Sequence, residues 1–465
     1  MTESGSVGEP KPPLPTWVEG DGTVARTIGR PVRRFLHVEA SGGIVLLAAT
    51  ILALIWANLS PDSYNDFWHT EIGIEIGSFE VREDLLHWVN DGLMAVFFFV
   101  VGLEIKREWD TGQLLDRRAA VLPAMAALGG MVLPALVFLA ITFAGGGEGA
   151  IGWGIPMATD IAFALGIVAL LGDRVPVALK VFLLTLAIVD DIGAIAVIAV
   201  FYSEALAWDW MGLAAVLIAL AYVLRRNRVW YIPIYTGLAA VIWLAVLKSG
   251  VHATIAGVFL GIITPTRPLN PEISHEQIED VLADESVDET TSALDAARMI
   301  NESVPVGSRL IRSIHPWTSF VIVPIFALAN AGIQLGGGAL SDAATSSVTL
   351  GIAGGLIIGK IVGITGAVVL AVKLGIARLP AQSTMTHVVG VSALAGIGFT
   401  VSLFISGLAY DDPTTISNAK VGILAASVVA AVLGAAILVR AGGPDDVDLA
   451  ESDAIRDRDE SAVSP

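Results

Sequence analysis

The chain has 465 residues, is 54% hydrophobic with a mean hydropathy of +0.73, and carries charge on only 15% of its residues, where a soluble domain carries about a quarter. It has no cysteine, which excludes disulfides, thiol catalysis and cysteine metal sites, and its pI near 4.7 argues against nucleic acid as a partner. Many separate windows of 18 or more apolar residues can be read off it, the length a helix needs to cross ~30 Å of hydrocarbon, so the expected fold is an all-α polytopic membrane protein.

Residues 1–41 are polar and contain Pro and Gly, with no secretory signal, and are expected to be a cytoplasmic N-terminal segment. Twelve spans are predicted, at roughly 42–59, 85–105, 119–144, 151–172, 176–202, 210–224, 230–247, 249–264, 316–335, 350–374, 384–409 and 417–440. Spans one to eight thus fill 42–264, a cytoplasmic loop 265–315, spans nine to twelve 316–440, and a cytoplasmic tail 441–465. Between the first two spans, TEIGIEIGSFEV alternates Ile with polar residues, and Gly77-Ser78 offers a turn. It reads as an exterior β-hairpin over 71–82, which either covers the exterior surface or makes a subunit contact.

The basic residues test this arrangement. With both termini cytoplasmic, 23 of the 27 Lys and Arg fall inside, and outside remain Arg82, Lys248 and Lys420. The last, Lys360, lies within a span. Such a bias, alternating at every crossing, supports both the number of spans and their orientation. The net charge of −18 is concentrated outside the membrane body: residues 271–308 hold ten acids against one Arg, and 444–465 eight against two. Neither segment has an apolar run able to form a core, so both are expected to be solvated or disordered.

Four ionisable groups fall near mid-span: Asp160 in span four, Asp190 and Asp191 in span five, and Lys360 in span ten. Each costs about 2.5–3.5 kcal/mol at the centre of a helix, roughly 10–14 kcal/mol together, comparable to the whole stability of a domain. One reading is a structural Asp–Lys pair. Three acids against one lysine fit that poorly, because two acids lack a cationic partner. The other reading is chemical. Desolvation and a like-charged neighbour both raise the pKa of a carboxylate; once deprotonated, such groups offer hard oxygens to a small alkali cation, and once protonated they hold it badly. Proton and cation then compete for the same atoms, and alternating exposure to the two sides turns competition into exchange.

Span four contains GWGIPMATDIAFALG, with Gly154 and Pro156 ahead of Thr159-Asp160, and span eleven contains SALAGIGFTVSLFISG, with Gly396 and Gly398 at its centre. Gly- or Pro-interrupted spans in corresponding positions of two halves point to discontinuous helices crossing at a midplane site, although glycine also serves close helix packing. Spans three to five and ten to twelve would be the two halves, as inverted-topology repeats.

VGLEIKRE, ATDIAFALG, AIVDDIGAI, VLKSGVHATIAG, GKIVGI and GIGFTVSLF, in this order, resemble the NhaA family of sodium/proton antiporters over nearly all of residues 40–440. The resemblance implies Asp191 as the principal Na+ ligand and Asp190 as its partner in ion and proton exchange, with Lys360 as the intramembrane charge partner of Asp190. It places Thr159 and Asp160 where span four unwinds, with Asp160 and Lys360 offsetting opposed helix dipoles. Asn90 and Asp91 match a polar step in span two. Glu104, Arg107 and Glu108 match the cytoplasmic entrance associated with pH response, although acid, Arg and acid at i, i+3 and i+4 also describe an ordinary helix-end ion pair. His252 is either a pH-responsive group or a packed histidine. Ile311-Arg312 stands where some members carry an acid and a histidine, which bears on the pH profile rather than on the reaction.

The leading expectation is therefore electrogenic exchange of cytoplasmic Na+ (and Li+) for external H+, with no enzymatic chemistry, no cofactor, the bilayer as surroundings, and a homodimer formed through hairpin 71–82 in an inner (plasma) membrane. The sequence contains no GxxxxGK[ST] phosphate loop. The alternatives are a cation channel, a sodium-coupled symporter of a small solute, and a membrane scaffold acting through the acidic loop and tail.

Overall fold

The computed structural model describes residues 41–76, 79–203, 206–227, 232–268, 270–283, 288–336 and 338–442. The expected N-terminal segment 1–41, apart from Ser41, the hairpin turn at Gly77-Ser78 and the acidic tail 444–465 lie outside them. Among the described residues, nine helices are long and apolar enough to cross a membrane, and a bent pair makes a tenth; the sheet has two strands.

The first crossing helix, α1 (Ser41–Leu59), leads into a short helix α2 (Pro61–Trp68), where Pro61 at the first helical position suits a helix start. The hairpin follows. β1 (Glu71–Ile76) pairs antiparallel with β2 (Phe79–Asp84) in the register Glu71↔Asp84, Gly73↔Arg82 and Ile76↔Phe79. It is fastened to the next helix, α3 (Leu85–Thr111), by the Trp88 indole donating to Ile72 O at 3.0 Å. Asp84 ends the hairpin and caps α3 by accepting from His87 N at 2.8 Å. Within α3 the stretch Trp88–Leu93, which carries Asn90 and Asp91, is π-helical.

The body is built from α4 (Arg117–Ala144), a 3-10 segment Ala150–Met157 leading through an extended turn to α5 (Ile161–Leu171), and α6 (Val177–Phe201), which carries both central aspartates. Then come α7 (Trp208–Arg226) and two shorter apolar helices, α8 (Ile232–Leu247) and α9 (Thr254–Ile263). α3 packs along α9.

The segment 271–308, expected to be solvated or disordered, instead contains two helices, α10 (His275–Ala283) and α11 (Glu289–Ser303), packed on one another. Buried Ala296 and Ser292 of α11 supply a small contact that composition averaged over the acidic stretch conceals. The next crossing helix, α12 (Val306–Asn330), starts ten residues before the expected 316 and ends at 330 rather than 335. Its first turns alternate Arg309 and Arg312 with Leu310, Ile311 and Ile314, so hydropathy hides them. Pro316 sits inside this helix rather than at its start, and a π-helical turn, Thr318–Ile322, follows directly, where the backbone accommodates the missing N–H.

A short helix α13 (Ala339–Thr345) precedes α14 (Ser347–Lys373), which packs along α4 and becomes π-helical at Gly355–Gly359, immediately before Lys360. α15 (Met385–Leu394) and α16 (Phe399–Ala409) form the pair bent by 46°, and α17 (Pro413–Arg440) closes the body against both α14 and α15. The main core joins α1, α3 to α6, α9, α12 and α14 to α17, with Phe98, Phe326 and Phe404 from α3, α12 and α16 meeting inside it, while α7 and α8 pack with Ala256 of α9 in a separate cluster.

Candidate functional site

Two short non-helical stretches supply the backbone of the site. Pro156 has no N–H to give, and Ala158 and Asp160 are extended, with ψ of 151° and 99°, so the chain unwinds between the 3-10 segment and α5. Opposite it, α15 ends at Leu394 and α16 begins at Phe399, leaving Ala395–Gly398 between them. The two breaks touch: Asp160 N donates to Ile397 O at 2.5 Å. Gly398 allows this approach, and Gly396 allows a second one, to α14. A Cβ on Gly396 would strike the carbonyl of Leu356, and one on Gly398 would strike Ser402 and lie 3.2 Å from Ala158 O.

Unwinding frees backbone groups, and side chains take them up, as burial requires. Thr159 Oγ1 lies 2.9 Å from Ala395 O and 2.7 Å from Asp190 Oδ2, so its single proton serves one of the two. The same oxygen accepts from Lys360 Nζ at 3.0 Å. Lys360 Nζ also donates to Met157 O and, at 2.5 Å, to Asp190 Oδ2. Both partners of this ion pair are 0% exposed. Asp160 receives three donors and no cation: Phe163 N at 3.1 Å, Thr400 N at 3.0 Å and Thr400 Oγ1 at 2.8 Å. Two helix N-termini, those of α5 and α16, therefore converge on one carboxylate, while the ammonium meets the Met157 carbonyl that ends the 3-10 segment. Each charge faces the helix end of opposite polarity.

Asp190 Oδ1 and Asp191 Oδ1 are buried with no hydrogen-bond partner among the described residues. The charges acting on Asp191 are those of Asp190, Glu104, Asp160 and Lys360, three like and one unlike. Two buried, unpartnered carboxylate oxygens on adjacent residues, with the Thr159 hydroxyl on the other oxygen of Asp190, are hard donors, the chemistry that suits an alkali cation.

The sequence matches known proteins along nearly its whole length. The profile of the family described as Na+/H+ antiporter 1 matches residues 33–438. The Na+/H+ antiporter NhaA 3 of Frankia alni is 47% identical over 409 residues, covering 88% of each chain. The NhaA 2 antiporter of Myxococcus xanthus is 46% identical, over 92% of this chain and 94% of its own, and the Escherichia coli O139:H28 antiporter NhaA is 45% identical, over 87% and 96%. The chain belongs to the NhaA family of Na+/H+ antiporters.

Within this NhaA-family chain, the remaining residues singled out from sequence fall in two groups. Glu104 lies on α3, half-buried, and acts electrostatically on Asp191, with Arg107 acting in turn on Glu104. Glu108 is buried at the same end. An i, i+4 ion pair on this helix joins Lys106 and Asp110 at 2.9 Å, and Asp110 also accepts from Thr266 beyond α9. Its Lys-to-Asp spacing was legible and passed over. His315 on α12 is a further electrostatic neighbour of Arg107; its position ahead of Pro316 disguised it as part of a helix start. Ile311 is buried and Arg312 exposed. The structure does not bring His252 to the aspartates: its ring nitrogen lies 2.5 Å from the backbone oxygen of Tyr202. Asn90 accepts from Asn330 at 2.8 Å, and the backbone oxygen of Asp91 accepts from Trp243, so this step in α3 is tied to α12 and α8. Thr400, which reading the sequence passed over, is one of the tightest partners of Asp160; a threonine in an apolar span gives no signal of its own.

Proposed function

We propose that this protein exchanges cytoplasmic Na+, and Li+, for external protons by competition at Asp190 and Asp191. The observation carrying the proposal is the pair of unpartnered carboxylate oxygens on adjacent buried aspartates, one of them held by Lys360. In the protonated site, Asp190 stays on Lys360. A cation entering from the cytoplasm past Glu104 takes Oδ1 of both aspartates, with Thr159 within reach. The site then releases two protons, one from Asp191 and one from the Asp190–Lys360 pair, and takes one monovalent ion. Each cycle thus moves one net charge.

Twelve crossings, counting α15 with α16 as one and adding the short α8 and α9, together with inverted repeats of spans three to five and ten to twelve, would let the crossed half-helices present the site alternately to each side. The same reading puts both termini, residues 1–41 and 441–465, and loop 265–315 in the cytoplasm of a plasma-membrane protein, with the exterior hairpin as the contact of a homodimer. It assigns pH response to Glu104, Arg107, Glu108 and Asp91, with His252 acting through its contact with Tyr202.

The test is collapse of a preformed pH gradient in proteoliposomes on addition of Na+, Li+ or K+, for wild type and Asp191→Asn. Collapse by Na+ and Li+ that disappears in the variant supports exchange at this site. Survival of the signal clears Asp191 of the role. Cation conductance without proton movement turns the assignment to a channel.

A further inference from the structure

We infer that Tyr202 and Tyr410 are positioning residues for the cation, acting through the 3-10 segment Ala150–Met157; the inference rests on the exchange reading above. Its ground is where the backbone groups of this segment go. A 3-10 segment forms poorer internal hydrogen bonds than an α-helix, and this one is kinked at Gly152, where the backbone leaves helical geometry (φ −74°, ψ 16°). Here side chains from three other helices or helix ends hold it. Tyr410, just after α16, donates its hydroxyl to Gly149 O at 2.7 Å. Tyr202, just after α6, donates to Ile151 O at 2.8 Å and accepts from Gly154 N at 3.1 Å. Ser402 of α16 donates to Ile155 O at 2.7 Å, and Lys360 of α14 donates to Met157 O.

The two phenols are also electrostatic neighbours of each other, and Gly152 has no Cβ because the Tyr410 hydroxyl occupies that space. Trp153 adds an edge-to-face contact with Phe201, 5.0 Å between ring centroids. The segment is therefore a strut, bolted at its far end by two phenols and at its near end by the lysine of the site. Thr159 and Asp160 follow its last residue by two and three positions. The far bolts come from α6, which carries Asp190 and Asp191, and from the end of α16, whose start carries Thr400. The phenols thus fix the distance between the two broken helices and the aspartate helix without touching the ion.

Removing one hydroxyl leaves a buried carbonyl, and for Tyr202 also a buried N–H, without its partner. The strut then samples more positions, and Thr159 and Asp160 are less well placed against Asp190. A site that is less preorganised binds ground state and transition state alike more weakly, which raises KM and spares kcat. Smaller cations demand closer convergence of oxygens, so Li+ loses more than Na+.

The experiment measures Na+- and Li+-driven exchange in proteoliposomes for wild type, Tyr202→Phe and Tyr410→Phe, with Tyr222→Phe, a phenol 50% exposed on α7, as control. Expected are an apparent KM for Na+ raised about three- to tenfold, the range one lost buried hydrogen bond corresponds to, a larger rise for Li+, and a maximal rate within about twofold of wild type. A KM at the wild-type value for both ions, or a fall in maximal rate alone, overturns the inference. If Tyr202→Phe does not fold, Tyr410→Phe decides, since it reaches the same strut through a single acceptor. A wild type that exchanges neither ion would instead sink the exchange reading, which keeps the two failures apart.

Discussion

Lys360 and Asp190 are each fully buried and joined at 2.5 Å, so neither can be removed alone without leaving an uncompensated charge in the core. Lys360→Gln should destabilise the protein by about 3–5 kcal/mol, the cost typical of breaking a buried pair from one side. The double variant Asp190→Asn/Lys360→Gln should recover most of that loss, because neutral amides can share the Thr159 and Met157 partners. Thermal unfolding in detergent of both singles and the double gives the coupling; additive losses would show that the pair contributes no mutual stabilisation. These residues were legible in the sequence because an ionisable group at membrane depth is expensive. Thr400, Tyr202 and Tyr410 were not, since their polar atoms are small additions to apolar side chains, and only the path of the chain shows which carbonyl each one reaches.

At the scale of elements, the break between α15 and α16 depends on backbone approach. A Cβ on Gly396 meets the carbonyl oxygen of Leu356, a backbone atom that cannot swing aside, whereas one on Gly366, in the same membrane body, meets nothing within 4 Å. Gly396→Ala should therefore lower the unfolding temperature and raise the KM for Na+. Gly366→Ala should be neutral or stabilising by up to about 1 kcal/mol; equal effects of the two would refute the close-approach argument. α17 offers a pH-dependent counterpart at its exposed start. The Thr415 hydroxyl and backbone N–H, both 2.8 Å from Asp412 Oδ2, hold that carboxyl below the usual carboxylate range. A folded-state pKa below the unfolded one contributes stability above the unfolded value, near 3.9, and loses it as pH falls through the folded value. The unfolding temperature of Asp412→Ala should thus lie below that of wild type at pH 7, and the gap should close as the pH drops below 4. Pro156, Gly396 and Gly398, singled out in the sequence, lie next to or within the non-helical stretches at 158–160 and 395–398. The early start of α12 could not be read from the sequence, because its amphipathic first turns carry too much charge for a hydropathy window, and the helices of the acidic loop hold too few buried residues to stand out from their composition.

For the whole molecule, the decisive quantity is charge moved per cycle. The acidic excess of the chain lies in loop and tail segments, far in sequence from the aspartate helix, and the charged neighbours of Asp191 among the described residues include Asp160, Asp190, Glu104 and Lys360. If two protons enter for each Na+ that leaves, one net positive charge moves inward, and a potential of 100 mV, negative inside, adds about 2.3 kcal/mol of driving force, roughly a fiftyfold shift in the Na+ ratio at equilibrium. Proteoliposomes with the potential clamped by a K+ gradient and valinomycin, at equal pH on both sides, should expel 22Na+ when the inside is made negative and accumulate it when the sign is reversed. Truncation before residue 444 should leave this response unchanged, because the partners that hold Asp190 and Asp160, namely Thr159, Lys360 and Thr400, all precede it. A 22Na+ flux indifferent to potential would mean one proton per cation, and Asp190 would then remain on Lys360 throughout the cycle while Asp191 alone exchanged its proton for the ion.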